Sequence, residues 1–99
     1  MGLIVNDNMS LNIGINKMQC YLNIGNEPIM ITKNPVTAGI YNITVNFCIY
    51  FDHESYLKKG GCIDKKKITI SVSLSDLSQN IYELLYDNVK NNFASYINI

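Results

Sequence analysis

The sequence predicts an α+β fold: a single antiparallel sheet of about five to six strands, with one long C-terminal helix packed on one face. Apolar and polar residues alternate through most of the chain, and a two-residue period is typical of half-buried strands. Towards the C-terminus the apolar spacing changes to three and four, the period of a helix with one apolar face. A chain of 99 residues has the size of one domain, so we expect residues 1–99 to share one core.

The clearest strand covers residues 40–51. The side chains predicted to face inward are Tyr41, Ile43, Val45, Phe47, Ile49 and Phe51, and those predicted to face outward are Asn42, Thr44, Asn46, Cys48 and Tyr50. The pattern returns in residues 67–74, with Ile68, Ile70, Val72 and Leu74 inward. Two alternating strands joined by a polar connection predict an antiparallel hairpin.

Shorter strands precede this hairpin. Residues 18–24 alternate with Met18, Cys20, Leu22 and Ile24 inward, and the following Gly25-Asn26 favours a type II′ hairpin turn. That turn leads to a short strand over residues 29–32, which Pro28 places at a sheet edge. Earlier still, Met9, Leu11, Ile13 and Ile15 alternate, with a turn predicted at Asn16-Lys17, and Leu3–Val5 adds a short first strand.

The predicted helix lies within residues 75–93. Its apolar face would consist of Leu77, Ile81, Leu84, Leu85, Val89 and Phe93. Asp76 with Gln79, or Asn80 with Glu83, could form the capping box that begins it.

Charge is sparse in this chain. Charged residues make up 16% of it, against about 25% in typical domains, the formal net charge is zero and there is no arginine. Weak long-range attraction disfavours nucleic acid as a partner. No leader-like segment opens the chain and no apolar run approaches the roughly 18 residues of a membrane span, so we expect no membrane contact.

The single histidine and the three cysteines suggest no catalytic or metal site. His53 lies between Asp52 and Glu54, and neighbours on an extended chain point in opposite directions, so these side chains do not converge on one ion. A nucleophilic Cys62 would have only His53 as its base and no third group to orient it. We therefore predict a non-enzyme without a cofactor, with Cys20 and Cys48 as buried reduced thiols.

The connection between the two best strands, residues 52–66, is predicted to be mobile and exposed, and to bind only when a partner is present. Loops of this length are usually functional or disordered. Tyr56, Leu57, Cys62 and Ile63 could form a short apolar tip. The neighbouring lysines Lys58, Lys59, Lys65, Lys66 and Lys67 are offset by Asp52, Glu54 and Asp64, which favours a solvated loop over a phosphate-binding patch.

Tyrosines of the helix and the uncharged outer sheet face offer further surfaces for contact. Tyr82 and Tyr86 either form an interface or rim the core, and the sequence leaves both open. The candidate interaction residues are Tyr56, Leu57, Lys58, Lys59, Ile63, Tyr82 and Tyr86.

Residues 40–96 also contain an order of sequence motifs that occurs in a known family of proteins. A strand ending in "IYFDHESYLKKGG", a lysine-rich turn, the strand "KKITISVSL" and the helix "NIYELLYDNVKNNF" follow in that order. The matching positions are Tyr50, Asp52, Glu54, Lys59, Gly60, Asn80, Ile81, Tyr82, Tyr86, Val89, Lys90 and Phe93. The order resembles small virion-associated proteins encoded among the tail and neck genes of tailed bacteriophages.

The resemblance implies a structural, non-enzymatic protein of a phage tail, neck or baseplate, which acts through protein–protein contacts. Its partners would be further copies of itself or other virion proteins. It would be found in the host cytoplasm and then in the virion. The alternative is a small phage-borne inhibitor or regulator that binds a host protein complex, and the sequence does not decide between the two.

Overall fold

A computed structural model describes residues 2–12 and 14–99 of the chain. Eight strands, two α-helices and one 3-10 helix (Asp76–Ser78) make up the described fold. The strands are β1 (Leu3–Val5), β2 (Met9–Ser10), β3 (Asn16–Lys17), β4 (Cys20–Asn23), β5 (Met30–Lys33), β6 (Ile40–Tyr50), β7 (Asp64–Ser73) and β8 (Tyr96–Asn98). The helices are α1 (His53–Leu57) and α2 (Ile81–Lys90).

Six of these strands form one antiparallel sheet built around β6. One edge of β6 pairs with β7 from Ile40 to Ile49, as the alternating pattern of the two strands predicts. The other edge accepts two short strands end to end: β5 against the first half of β6, and β4 against its last residues. The sheet then continues from β4 through β1 to β8.

Helix α2 covers one face of the sheet and closes the core there. Phe47 of β6 is fully buried and meets Tyr86 of α2 edge to face, with 5.1 Å between the ring centroids. Leu85 and Val89 are also fully buried. The N-cap of α2 is Asn80, whose side chain accepts hydrogen bonds from the backbone N–H groups of Tyr82 and Glu83, so the second of the two predicted starts is the right one.

A small second sheet of β2 and β3 is tied to the main sheet by Asp64. The carboxylate of Asp64 accepts the backbone N–H of Asn12 at 2.9 Å and the side-chain amide of Asn12 at 2.8 Å. These bonds hold the pKa of Asp64 below its usual value, so the link is formed by the ionised carboxylate.

The predicted fold class is wrong on two points: the C-terminal helix is not long, and the strands do not form a single sheet. Helix α2 spans ten residues and is not long, because residues 76–78 form a separate 3-10 helix and Gln79 is extended. After α2 the chain turns back and adds β8 to the sheet, an element that the sequence pattern did not predict. The protein is mostly sheet with short helices, and β2–β3 forms a second sheet.

Several strand predictions also need correction. Residues 24–27 do form a turn, with Gly25 at a φ of +55°, but β4 and β5 do not pair with each other as a hairpin. Strand β7 begins at Asp64, earlier than residue 67. Phe51 and Met18 are exposed where an inward position was predicted.

The predicted first strand, Leu3–Val5, and the short edge strand, which runs over Met30–Lys33, are confirmed. The turn predicted at Asn16-Lys17 is instead strand β3. The prediction for Ile13 lies outside the described residues.

The hydroxyl of Tyr86 has a structural role that can be tested by substitution. Its oxygen accepts the backbone N–H of Ile24 at 3.0 Å in the core. Replacing Tyr86 with phenylalanine removes this acceptor and leaves the buried N–H without it, so we expect a loss of about 1–3 kcal/mol in the free energy of unfolding, measured by urea denaturation.

Tyr82→Phe is the matched control, because Tyr82 is exposed on the same helix. Its effect should stay within about 0.5 kcal/mol. Equal losses in the two variants would contradict the role of the Tyr86 hydroxyl.

Candidate functional site

The main sheet leaves three strand edges unpaired among the described residues: those of β5, β7 and β8. An unpaired edge presents backbone N–H and C=O groups that can template another strand. Proteins usually protect such edges with prolines, lysines or local capping, so the protection at each edge shows which one can take a partner.

The β5 and β7 edges are protected. Strand β5 ends at Lys33 and is flanked by Pro28 and Pro35. Strand β7 carries three successive lysines at residues 65–67, and at its other end the carboxylate of Asp76 accepts the backbone N–H of Ser73 at 3.1 Å. Both edges therefore discourage strand addition.

The β8 edge, by which we mean the unpaired side of β8, has no lysine or proline within the strand, and the lysine beside it is Lys90 of α2, whose Nζ lies 5.8 Å from the centroid of the Tyr96 ring. Gly2 and Ile99 exchange both of their backbone hydrogen bonds, at 2.8 and 3.0 Å. Because antiparallel pairs alternate, the N–H and C=O groups of Tyr96 and Asn98 point away from β1, towards the unpaired side. Residues 96–99 include no charged side chain and no proline, and Ile97 is half exposed.

A groove of about 530 Å³ lies beside the β8 edge. Glu83, Tyr86, Asp87 and Lys90 of α2 line one side of the groove, and Asn98 and Ile99 line the other. An incoming strand would place every second side chain in this groove. The groove is polar along α2, where Lys90 pairs with Asp87 at 3.8 Å.

The opposite part of the sheet is covered by α1. Tyr56 of α1 packs against Tyr21 of β4 and Tyr50 of β6, at centroid distances of 4.7 and 5.1 Å. His53 lies 4.7 Å from the Tyr21 ring. Burial raises the pKa of Tyr21, and the nearby Tyr56 hydroxyl adds to the rise.

Helix α1 is held by its own cap and by one exposed ion pair. Asp52 is the N-cap, and its carboxylate accepts the backbone N–H of Ser55 at 2.7 Å. Lys58 pairs with Glu54 at 2.8 Å, and both side chains are mostly exposed. Leu57 is 64% exposed and projects from this end of the fold.

The predicted connection, residues 52–66, is therefore partly regular structure. Residues 64–66 belong to β7, and α1 occupies its first half. None of its residues is fully buried, but only Glu54, residues 56–61 and Lys65 are exposed, so the predicted exposure holds for part of the connection. Its mobility stays a prediction.

The structure separates the predicted interaction residues. Leu57, Lys58, Lys59 and Tyr82 are at the surface. Tyr56 packs against the rings of Tyr21 and Tyr50, and Ile63 is half-buried against the core. Tyr86 is only 3% exposed, so it belongs to the core and not to an exposed interface. Lys65 pairs with Glu27 at 2.6 Å and Lys66 lies over the Phe93 ring, so the lysines form no single patch.

The β8 edge was missed by sequence analysis. Its only signal is the alternation of Tyr96, Ile97, Asn98 and Ile99, which is too short to distinguish a strand from a tail.

The outer face of β6 and β7 is uncharged at its centre, as predicted, and its side chains bond across the strands. Thr44 and Thr69 lie 3.0 Å apart through their hydroxyl oxygens, and the Ser71 hydroxyl donates to Asn42 at 3.1 Å.

Within residues 2–12 and 14–99, no cluster of three or more His, Cys, Asp or Glu side chains could hold a metal ion. No helix in that part of the chain is long and apolar enough to cross a membrane. The chain matches no protein family model, no curated protein and no solved structure in the comparisons made. The phage resemblance of residues 40–96 stays a prediction.

The cap of α1 should make this helix sensitive to acid. The pKa of Asp52 lies below its usual value, chiefly because the carboxylate accepts the Ser55 N–H. The positive charges of Lys17 and Lys58 lower this pKa further. A depressed pKa in the folded state means that the cap is fully effective above the unfolded pKa of about 3.9 and is lost as the pH falls through the folded pKa. We expect the Ser55 amide resonance to shift in that acid range, as followed by NMR.

Asp52→Asn is the control, since asparagine also caps helices but does not titrate. Its Ser55 resonance should stay constant over the same range, and Asp52→Ala should speed hydrogen exchange at Ser55 at any pH. An identical acid shift in the aspartate and asparagine proteins would show that another group is responsible.

Proposed function

We propose that this chain is a small, non-enzymatic assembly protein that acts through protein–protein contacts, and that its contact is strand addition at the β8 edge. One observation carries the proposal: of the three edge strands in the described sheet, only β8 has neither a lysine within the strand itself nor a carboxylate that accepts one of its backbone N–H groups. In strand addition the backbone supplies the affinity and a neighbouring groove receives alternate side chains.

The first partner is a second copy of the chain. Antiparallel pairing centred on Ile97 would place Tyr96 of one copy opposite Asn98 of the other, and no charges would face each other. Their outward N–H and C=O groups would then form about four intermolecular hydrogen bonds around a two-fold axis.

The biological setting is proposed from the sequence pattern of residues 40–96, which resembles virion-associated phage proteins. It supports a component of a phage tail, neck or baseplate that is made in the host cytoplasm and then incorporated into the particle. The low charge of the chain supports the same reading, because few charges oppose packing against neighbouring subunits.

Substituting Asn98 with proline tests the β8 edge directly. Proline removes the N–H that points away from β1 but leaves the β8–β1 hydrogen bonds in place. We expect the self-association of the variant to weaken by about 1–3 kcal/mol, roughly 5- to 150-fold in the dimer dissociation constant, because two of the intermolecular bonds are lost. Light scattering after size exclusion over a range of concentrations measures this.

Asn98→Ala is the control for loss of the side chain, because it keeps the backbone N–H, so the proline variant should associate more weakly than the alanine variant. Unchanged association of the proline variant, with the same thermal midpoint as the parent, would rule out the β8 edge.

The particle assignment needs a separate measurement: mass spectrometry of purified particles of the phage that encodes the chain. Recovery of the chain in particles supports the virion role. Its absence from particles, together with its capture on a host complex, would favour the inhibitor or regulator instead.

A further inference from the structure

Cys48 lies on the sheet face that α1 covers. It is buried near the end of β6 and is 8% exposed. Its cross-strand neighbours are Asn23 of β4 on one side and Lys65 of β7 on the other. Alternation along β6 directs its side chain away from Phe47 and Ile49, which belong to the core beneath α2.

A β-bulge at the start of β7 brings a second thiol to this face. Asp64 pairs with Ile49, and the preceding residue, Ile63, also donates its backbone N–H to the Ile49 carbonyl at 2.7 Å. Two residues of the incoming chain thus oppose one residue of β6. Because Ile63 and Asp64 both oppose Ile49, the alternation of side chains shifts by one residue before the bulge. The side chain of Cys62 therefore lies on the same face of the sheet as those of Cys48 and Tyr50.

The interactions of the two thiols agree with this placement. Burial raises the pKa of the Cys48 thiol, and Cys62 raises it further through charge repulsion and a side-chain hydrogen bond. Burial is the main cause of the raised pKa of Tyr50, and both thiols raise that pKa further. The ammonium of Lys65, paired with Glu27 at 2.6 Å, is the cation of this cluster.

We infer that Cys48 and Cys62 form a reversible thiol–disulfide pair, a modification site of the folded chain. The half-buried Cys62 is the thiol that reagents reach, and the buried Cys48 is the one that resolves the adduct. Cys20 takes no part, because its thiol lies on β4 and points to the Lys17 carbonyl, 3.9 Å away.

The oxidant that fits this site is a small disulfide such as oxidised glutathione. The Cys62 thiolate attacks one sulfur of glutathione disulfide, and the first glutathione leaves as its thiolate. The Cys48 thiolate then attacks the Cys62 sulfur of the mixed disulfide and releases the second glutathione. The protein thiols together lose two protons and two electrons, and the glutathione disulfide is reduced to two thiols.

Burial of Cys48 favours the disulfide once it has formed. A protein dithiol is a strong oxidant when its reduced form is stabilised as a thiolate. Here burial disfavours the Cys48 thiolate, so the reduced form lacks that stabilisation. The bond would join β6 to the start of β7 and close a loop that contains α1, which would restrict the motion of the helix that carries Tyr56 and Leu57.

The test uses the folded, full chain and glutathione buffers of increasing oxidised fraction. We expect the titre of free thiols, measured after alkylation and unfolding, to fall from three to one. Peptide mapping without reductant should find Cys48 linked to Cys62, and reduced glutathione should restore all three thiols. Hydrogen exchange of residues 53–57 should be slower in the oxidised protein.

Three variants separate the steps. Cys20→Ala should still form the link, Cys48→Ala should stop at a glutathione adduct on Cys62, and Cys62→Ala should leave both remaining thiols free. A stable adduct on Cys62 of the parent protein, a link that includes Cys20, or three free thiols in fully oxidised buffer would each overturn the inference. The measurement on the parent chain decides the question even where a variant does not fold.

Discussion

The length of β6 is the constraint on which the rest of the sheet depends. An eleven-residue strand has one edge long enough for the whole of β7 and a second edge long enough for two short strands in line. Because β4 docks at the far end of that second edge, β1 and then β8 follow it outward on the same side. The buried Ile43, Val45 and Phe47 fix which face of β6 receives α2, since a slip of one residue would expose all three.

The end of the sheet near α1 is covered on both faces, and this explains its unusual residues. The alternating pattern of β4 and β6 predicts one buried face and one solvent-exposed face. Tyr21 and Cys48 lie on the face predicted to be exposed, yet both are buried. Asn23 is buried beside Cys48, and its side-chain oxygen has no hydrogen-bond partner among the described residues. A polar position has thus been covered by tertiary packing, which raises the pKa values of the neighbouring tyrosine and thiol.

Local signals in the sequence located most elements but not their partners. The alternation of β6 and the capping side chain of Asn80 act within a few residues, and both appear in the fold as expected. The end-to-end docking of β4 and β5 depends on the length of a strand that comes later in the chain, which no short pattern contains. The same holds for β8, whose position against β1 is set by a contact across almost the whole chain. Of the candidate site, the exposure of Leu57 could be predicted, whereas the β8 edge and the bulge that brings Cys62 to Cys48 required the tertiary structure.

The distribution of charge then links the fold to the proposed assembly. A chain with 16% charged residues has few side chains with which to protect its sheet edges. Four of its eight lysines, Lys33 and those at residues 65–67, lie on the edge strands β5 and β7, and Asp76 caps the end of β7. None lies in residues 96–99, although β8 is an edge strand with apolar side chains exposed. In the proposed assembly, one open edge would give a closed pair of molecules, whereas two would permit an open-ended fibre. The thiol pair shares no residue with the β8 edge, so a change in redox state would alter the surface around α1 without breaking any hydrogen bond of β8.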